Sequence, residues 1–173
     1  MGVQRDDTRP AVRRAAALRP GGRGSLPGTH HDLRAVQGRQ RDDRWHIAQW
    51  SRIPFVGLRF SNILGPRDYE EFPSYWPDPQ LRKWNLWGYI DERDAAAACR
   101  LALDAPVEGS ASFIIAAADT VMTRPSADLM REVFPGVPLT GDVSGTGTLL
   151  AIGRAAATLG FVPGHSWRDH VSQ

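Results

Sequence analysis

The sequence has almost no cysteine and no long apolar run. Cys99 is the one cysteine among 173 residues, so an internal disulfide and a metal site built from several cysteines are both excluded. No window approaches 18 consecutive apolar residues, so the sequence predicts no membrane-spanning helix. The first ten residues, MGVQRDDTRP, lack the apolar core of a secretory signal. A cytoplasmic location is therefore the expectation.

Lysine is nearly absent, and the charges are unevenly distributed. Of the 21 basic residues, Lys83 is the one lysine and all others are arginine. The net charge of +2 combines +5 over residues 1–45 (10 Arg, 5 Asp) with −3 over residues 46–173 (11 basic, 14 acidic). Residues 1–45 also lack Ile, Phe, Tyr, Lys, Glu and Asn, all of which occur later. This change of composition predicts a boundary at residue 45.

Residues 1–45 have several interpretations. The segment holds only seven residues of Met, Val, Leu, Ile or Phe, without periodicity, so it cannot bury enough apolar surface to offset its ordering entropy. It is then a disordered tail, or an arginine-rich arm for nucleic acid. Aspartates interrupt the basic residues, and no aromatic residue precedes Trp45, which disfavours the arm. A third interpretation is translation of a GC-rich gene in the wrong reading frame.

Residues 46–173 have the pattern of an α/β protein. Two strand-then-helix units follow one another, which is typical of α/β layers. Asp94 is the predicted N-cap of the first helix because aspartate accepts hydrogen bonds from first-turn amides, and residues 61–66 predict a loop. The predicted strands are Ile53–Phe60, Tyr89–Ile90 and Ser112–Ala116, and the predicted helices are Ala95–Leu103, Pro125–Phe134 and Ile152–Leu159.

Three segments carry a resemblance to a known family. They are GLRFSNILGP at 57–66, WGYIDERDAA at 87–96 and LGFVP at 159–163. In sequence and order they resemble the segment after the sixth strand, the Tyr-Ile-x-x-x-Asp motif and the closing motif of the NAD-dependent epimerase/dehydratase family, the extended short-chain dehydrogenases/reductases. The resemblance implies a partial Rossmann-type fold over residues 46–173, comprising the carboxyl-terminal, substrate-side portion.

The resemblance also implies roles for individual residues. Ser61 matches the position whose backbone contacts the carboxamide of the cofactor, and Asn62 matches a residue that faces the substrate. Tyr89 and Trp87 are expected on the substrate side. Trp87 stands where sugar-nucleotide members have an arginine that grips a phosphate, so a less charged substrate is favoured. Intact relatives use NAD or NADP and act on a small molecule; the expectation includes no metal, nucleic acid or membrane partner, and a homo-oligomer remains open.

Two family motifs are missing from the sequence. No strand is followed by the G-x-x-G-x-x-G turn that holds the dinucleotide pyrophosphate, and no tyrosine is followed four residues later by lysine. The resemblance therefore assigns no catalytic residue to this chain, and cofactor binding by it is not expected. Reading the degenerate codons of His31–Arg39 one base later permits Tyr-x-Leu-Ser-Lys-Val at positions 33–38, one helix before the strand at Ile53. That spacing favours the wrong-frame interpretation.

The functional expectation is thus the substrate-side half of an NAD(P)-dependent epimerase, dehydratase or reductase, catalytically incomplete as written. The alternative is a non-catalytic remnant, or a binding or dimerisation module, on the same fold. The aromatic residues from Tyr69 to Trp87 either form an apolar wall over a substrate or form the core of a small domain.

Overall fold

The computed structural model describes residues 43–141 and 143–170. The shifted peptide at 33–38, and all of the arginine-rich segment before residue 43, lie outside these residues. The described part is a mixed α/β structure with two small parallel sheets, so the α/β prediction is confirmed. Within the described residues, no helix has both the length and the apolar character that crossing a membrane requires.

The strands form two parallel pairs that meet at Ser61. Strand β1 (Phe55–Phe60) pairs with β4 (Ser110–Ile115). Strand β2 (Asn62–Leu64) pairs with β3 (Tyr89–Asp91). The Ser61 amide still donates to Ile115 O at 3.0 Å, so the chain changes its strand partner within one residue. The loop predicted for residues 61–66 is therefore wrong in part, because pairing with a distant segment converts Asn62–Leu64 into a strand.

Helices flank the sheets, and short 3-10 turns connect them. The 3-10 turns are Asp68–Ser74, Lys83–Asn85 and Trp167–Asp169. The helices are α1 (43–51), α2 (Glu92–Leu103), α3 (Ser126–Val133) and α4 (Gly153–Leu159). Helix α4 ends as predicted at Gly160, whose φ of 66° is accessible to glycine without strain.

Helix α2 begins earlier than predicted. Its N-cap is Asp91, whose carboxylate accepts from the Arg93 amide at 2.8 Å. Asp91 has the extended backbone of an N-cap residue (φ −66°, ψ 141°) because it also ends strand β3. Asp94 lies in the first turn instead and binds the carboxyl-terminal segment, accepting from the amides of Gly164 and His165 at 3.0 Å each. The prediction of Asp94 as the cap was therefore wrong.

One hydrophobic core lies between the β1–β4 sheet and helices α2 and α4. Alternate residues of both strands point into it, as the two-residue period of a strand requires. On β4 these are Phe113 and Ile115, both buried, and on β1 they are Val56, Leu58 and Phe60. This packing holds the carboxyl end of β1 in place.

A second core combines aromatic residues of the irregular segment, strand β3 and the carboxyl-terminal segment with aliphatic residues from positions 117–130; we call it the aromatic core. Tyr69, Phe72, Trp87 and Trp167 are all buried in it, and the ring centroids lie 5.2 Å apart for Tyr69 and Phe72 and 5.7 Å apart for Phe72 and Trp167. Of the two interpretations of the aromatic residues from Tyr69 to Trp87, the core interpretation therefore holds for Tyr69, Phe72 and Trp87. Trp84 differs, because 68% of its surface is exposed.

Candidate functional site

A cavity opens beyond the carboxyl end of β1. It has a volume of about 250 Å³, and its position is where open α/β sheets bind ligands. Strand β1 and the residue after it form one wall, and the 3-10 turn at Lys83–Asn85 forms another. The lining residues are Arg59, Phe60, Ser61, Trp84, Asn85, Leu86, Ile114 and Leu150. We call it the Ser61 cavity.

Two buried polar atoms at the Ser61 cavity have no hydrogen-bond partner among the described residues. They are Ser61 Oγ and Asn85 Oδ1. The amide of Asn85 is oriented by its other end, because Asn85 Nδ2 donates to Gly88 O at 2.8 Å. Buried polar atoms are nearly always hydrogen-bonded in proteins. The hydroxyl can donate and the carbonyl oxygen can accept, but both atoms are buried, so a ligand reaches them only with a shift of the side chains that line the cavity.

An unusual backbone turn brings Asn85 to Ser61. Leu86 and Trp87 have φ values of 54° and 56°, which side-chain-bearing residues adopt at a cost of about 1–3 kcal/mol each. The next residue, Gly88, lies so close to the cavity wall that an added Cβ would be 2.7 Å from Leu150 Cδ1 and 3.1 Å from Ser61 Oγ. Strain of this kind persists where the surrounding packing enforces it, often at functional sites.

The residues expected to bind cofactor or substrate are only partly brought together. Ser61 lines the cavity. Asn62 is the next residue, half-buried at the start of β2, and is not part of the cavity lining. Trp87 and Tyr89 are both fully buried. The substrate contacts of Asn62, Trp87 and Tyr89 stay predictions.

The polar atoms of Trp87 and Tyr89 are used inside the protein. Trp87 Nε1 donates to Pro79 O at 2.8 Å. The Tyr89 hydroxyl donates to Asp119 Oδ1 at 2.8 Å and accepts from the Trp167 amide at 3.1 Å. Burial, and the charge of Asp119 beside it, raise the pKa of Tyr89 well above its usual range. These hydrogen bonds link the aromatic core to the backbone at Pro79 and to the side chain of Asp119.

An ion pair between the buried carboxylate of Asp91 and the partly exposed Arg93 lies at the start of helix α2, next to the aromatic core. Arg93 Nε and Nη2 donate to the two carboxylate oxygens of Asp91 at 2.8 Å each, and the Tyr69 hydroxyl also donates to Asp91. Burial by itself would raise the pKa of Asp91, but the hydrogen bonds from Arg93 and Tyr69 hold that pKa well below its usual range. Burial and the hydrogen bond to Asp91 raise the pKa of Tyr69 far above its usual value.

Several residues at the Ser61 cavity were not expected from the sequence. Asn85, Leu86 and Leu150 line it but belong to segments far from Ser61 along the chain. The one usable signal was Gly88, directly before a predicted strand, since an isolated glycine there often marks a close approach of backbone to a neighbour.

No family model matches the chain, and no curated protein or solved structure matches it.

Proposed function

We propose that residues 46–173 form the substrate-side part of an NAD(P)-dependent epimerase/dehydratase-type Rossmann fold, and that the Ser61 cavity receives the carboxamide of a nicotinamide ring. The observation that carries the proposal is the pair of unpartnered polar atoms, Ser61 Oγ and Asn85 Oδ1, in a cavity beyond the carboxyl end of β1. A carboxamide offers one carbonyl acceptor and one amino donor. The Ser61 hydroxyl donates to the carbonyl, and Asn85 Oδ1 accepts from the amino group.

The apolar lining supports binding of an aromatic ring beside that carboxamide. Leu86, Ile114 and Leu150 line the same cavity as Ser61 and Asn85, which fits the usual design of small-molecule sites, in which few polar groups orient a ligand within apolar walls. The neighbouring Asn62 remains the proposed substrate contact, one residue further along the chain.

Hydride transfer by this chain is not part of the proposal. The family's proton relay needs Tyr-x-x-x-Lys, and the residues four positions after Tyr69, Tyr75 and Tyr89 are Pro73, Pro79 and Arg93. Loss of a general acid/base typically costs about 100- to 10,000-fold in rate. The sequence also has no glycine-rich turn for the pyrophosphate, so NAD or NADP binds weakly through its nicotinamide end alone.

Titration of nicotinamide and NADH into the chain, followed by two-dimensional NMR, tests the proposal. We expect weak, saturable shifts of the Asn85 side-chain amide and of the Ser61 backbone amide with nicotinamide, and also with benzamide, which carries the same carboxamide. Ser61→Ala should weaken binding, whereas Ser74→Ala, which removes an exposed hydroxyl bonded to Glu71 O, should leave it unchanged. Absence of nicotinamide binding refutes the cavity assignment. Micromolar affinity for NADH refutes the idea of an incomplete cofactor site.

A dimerisation module on the same fold is the second candidate. Trp45, Ile47 and Trp50 of helix α1 and Ile53 before β1 are all exposed, and large exposed apolar side chains concentrated in one short segment favour association. The two candidates differ in their readouts, because association is measured from the molar mass in solution and nicotinamide binding from the cavity signals.

A further inference from the structure

Arg82 is held in an unusual environment. Its guanidinium carbon lies 4.9 Å from the ring centre of Tyr75 and 5.7 Å from that of Trp84. Both distances are within the range of cation–π attraction. The Nε and Nη2 atoms of Arg82 are buried, and neither has a hydrogen-bond partner among the described residues. The aromatic rings therefore hold the cation while one edge of its guanidinium stays unused.

That edge is the one with which arginine binds oxyanions. Nε and Nη2 point in the same direction and fit the two oxygens of a carboxylate or phosphate. Elsewhere in this protein the same edge is occupied: Arg93 uses both atoms on Asp91 at 2.8 Å. Arg168 Nε donates to Asp119 Oδ2 at 3.0 Å, and its Nη2 donates to Met122 O at 2.6 Å. A buried guanidinium edge without an acceptor is costly.

Trp84 connects Arg82 with the Ser61 cavity. It stacks on Arg82 and also lines the cavity. Because Nε and Nη2 are shielded from water, an oxyanion reaches them only when a neighbouring side chain moves. Trp84, with 68% of its surface exposed, is the less constrained of the two rings and can turn aside.

We propose that Arg82 binds an oxyanion, a carboxylate or phosphate group, at the rim of the Ser61 cavity, with Trp84 turning away to admit it. The inference rests on the proposed function in one respect, because the oxyanion is taken to be a group of the molecule that binds in the Ser61 cavity. The sequence predicts a less charged substrate because Trp87 stands where sugar-nucleotide members of the family have an arginine. Trp87 is buried and does not line the Ser61 cavity, so that prediction does not apply to a ligand of the cavity. Arg82 supplies the cation from a different position.

The experiment uses inorganic phosphate and acetate as separate probes, at ionic strength held constant with chloride. In the wild-type chain, we expect saturable shifts of the Arg82 Nε–Hε signal in NMR. The Tm should rise by about 3 °C at about ten times the dissociation constant. The tighter-binding probe identifies the class of oxyanion. Trp84→Phe should abolish the accompanying change in tryptophan fluorescence.

Variants separate an oxyanion site from a purely structural stack. Arg82→Lys keeps the charge without the fork, so binding of the preferred probe should weaken about tenfold. Arg100→Gln removes an equal charge from an exposed pair with Asp104 and should leave binding unchanged. No saturable shift of the wild-type Nε–Hε signal with either probe overturns the proposal, and this readout does not depend on the variants folding. Equal binding by wild type and Arg82→Lys also overturns it. Nicotinamide binding without oxyanion binding would refute this inference and leave the proposed function standing.

Discussion

Gly88 sets the distance between the strained turn and the wall of the Ser61 cavity. An alanine Cβ there would lie 2.7 Å from Leu150 Cδ1 and 3.2 Å from Asn85 O, so one neighbour must shift. We expect Gly88→Ala to lower the free energy of unfolding by about 1–3 kcal/mol, the usual cost of overpacking, as measured by urea denaturation.

A second glycine provides the matched control for Gly88. Nothing lies within 4 Å of a Cβ added at Gly153, the first residue of α4. Gly153→Ala should therefore stabilise slightly, by about 0.5 kcal/mol, through the unfolded state. Equal stability of the two alanine variants would contradict the close approach at Gly88.

Asp91 makes the protein lose stability at acidic pH. Because its native pKa is lowered, its contribution to stability is fully present above the usual aspartate pKa of 3.8 and is lost as the pH falls through the native value. We expect the wild-type protein to lose stability below about pH 4 more steeply than Asp91→Asn. Urea denaturation at a series of pH values measures this difference.

Asparagine at position 91 is a useful replacement because it still caps helix α2. Asp104→Asn is the control, since Asp104 forms an exposed pair with Arg100 at 3.6 Å and such pairs add little. Parallel pH profiles for wild type and Asp91→Asn would show that Asp91 is not the group responsible.

At the scale of elements, Asp94 joins helix α2 to the carboxyl-terminal segment. It accepts from two backbone amides, and its Oδ1 lies 2.7 Å from His165 Nδ1. Asp94→Ala leaves those partly buried donors without their acceptor. We expect a loss of about 1–3 kcal/mol and faster hydrogen exchange at the Gly164 and His165 amides.

Asp128 offers a comparison for Asp94 in the same position of a helix. It lies in the first turn of α3 and pairs with the exposed Arg131 at 3.0 Å. Asp128→Ala should cost about 0.5 kcal/mol or less. Faster exchange at Gly164 in this variant as well would argue against a specific anchoring role for Asp94.

The sequence predicted those elements that local patterns define. Continuous apolar runs located β1 and β4, and a glycine correctly ended α4. The start of α2 was misplaced because Asp91 and Asp94 are both acceptable caps, and the choice depends on where β3 ends. Strand β2 was missed because its residues become a strand only by pairing with a segment that lies 27 positions further on (Asn62 opposite Tyr89).

The candidate site was less predictable than the strands. Ser61 could be found from the motif that contains it, but Asn85 and Leu150 meet it only through tertiary packing. The burial of Trp87 and Tyr89 was also not visible in the sequence, because a strand flanked by aromatic residues can face either a ligand or a core. Backbone strain at Leu86 and Trp87 has no local sequence signal, since neither residue is glycine or asparagine.

For the whole molecule, we expect association that depends on concentration. Within the described part of the chain, β1 pairs only with β4, so its other edge is available for pairing. Trp50, 87% exposed on α1, lies in the segment just before that strand. The molar mass from light scattering should increase with protein concentration, and Trp50→Glu should reduce the increase.

Leu103 is the control for the association experiment. It is equally exposed, at 85%, but lies at the end of α2. Leu103→Glu adds the same charge and should leave association unchanged. A monomer at all concentrations, or an equal effect of both variants, would contradict association through α1 and β1.

The parallel pairing of β1 with β4 has a consequence for the order in which the chain folds. Phe55 lies opposite Ser110, and Phe60 lies opposite Ile115, so partners are 55 positions apart (110 − 55). During synthesis, β1 is complete before β4 has been made. Its apolar residues therefore remain unpaired while the intervening segment is synthesised. Long-range pairing of this kind slows folding and leaves apolar strands exposed in the meantime. The apolar residues of β1 therefore have no strand partner from the translation of residue 60 until that of residues 110–115.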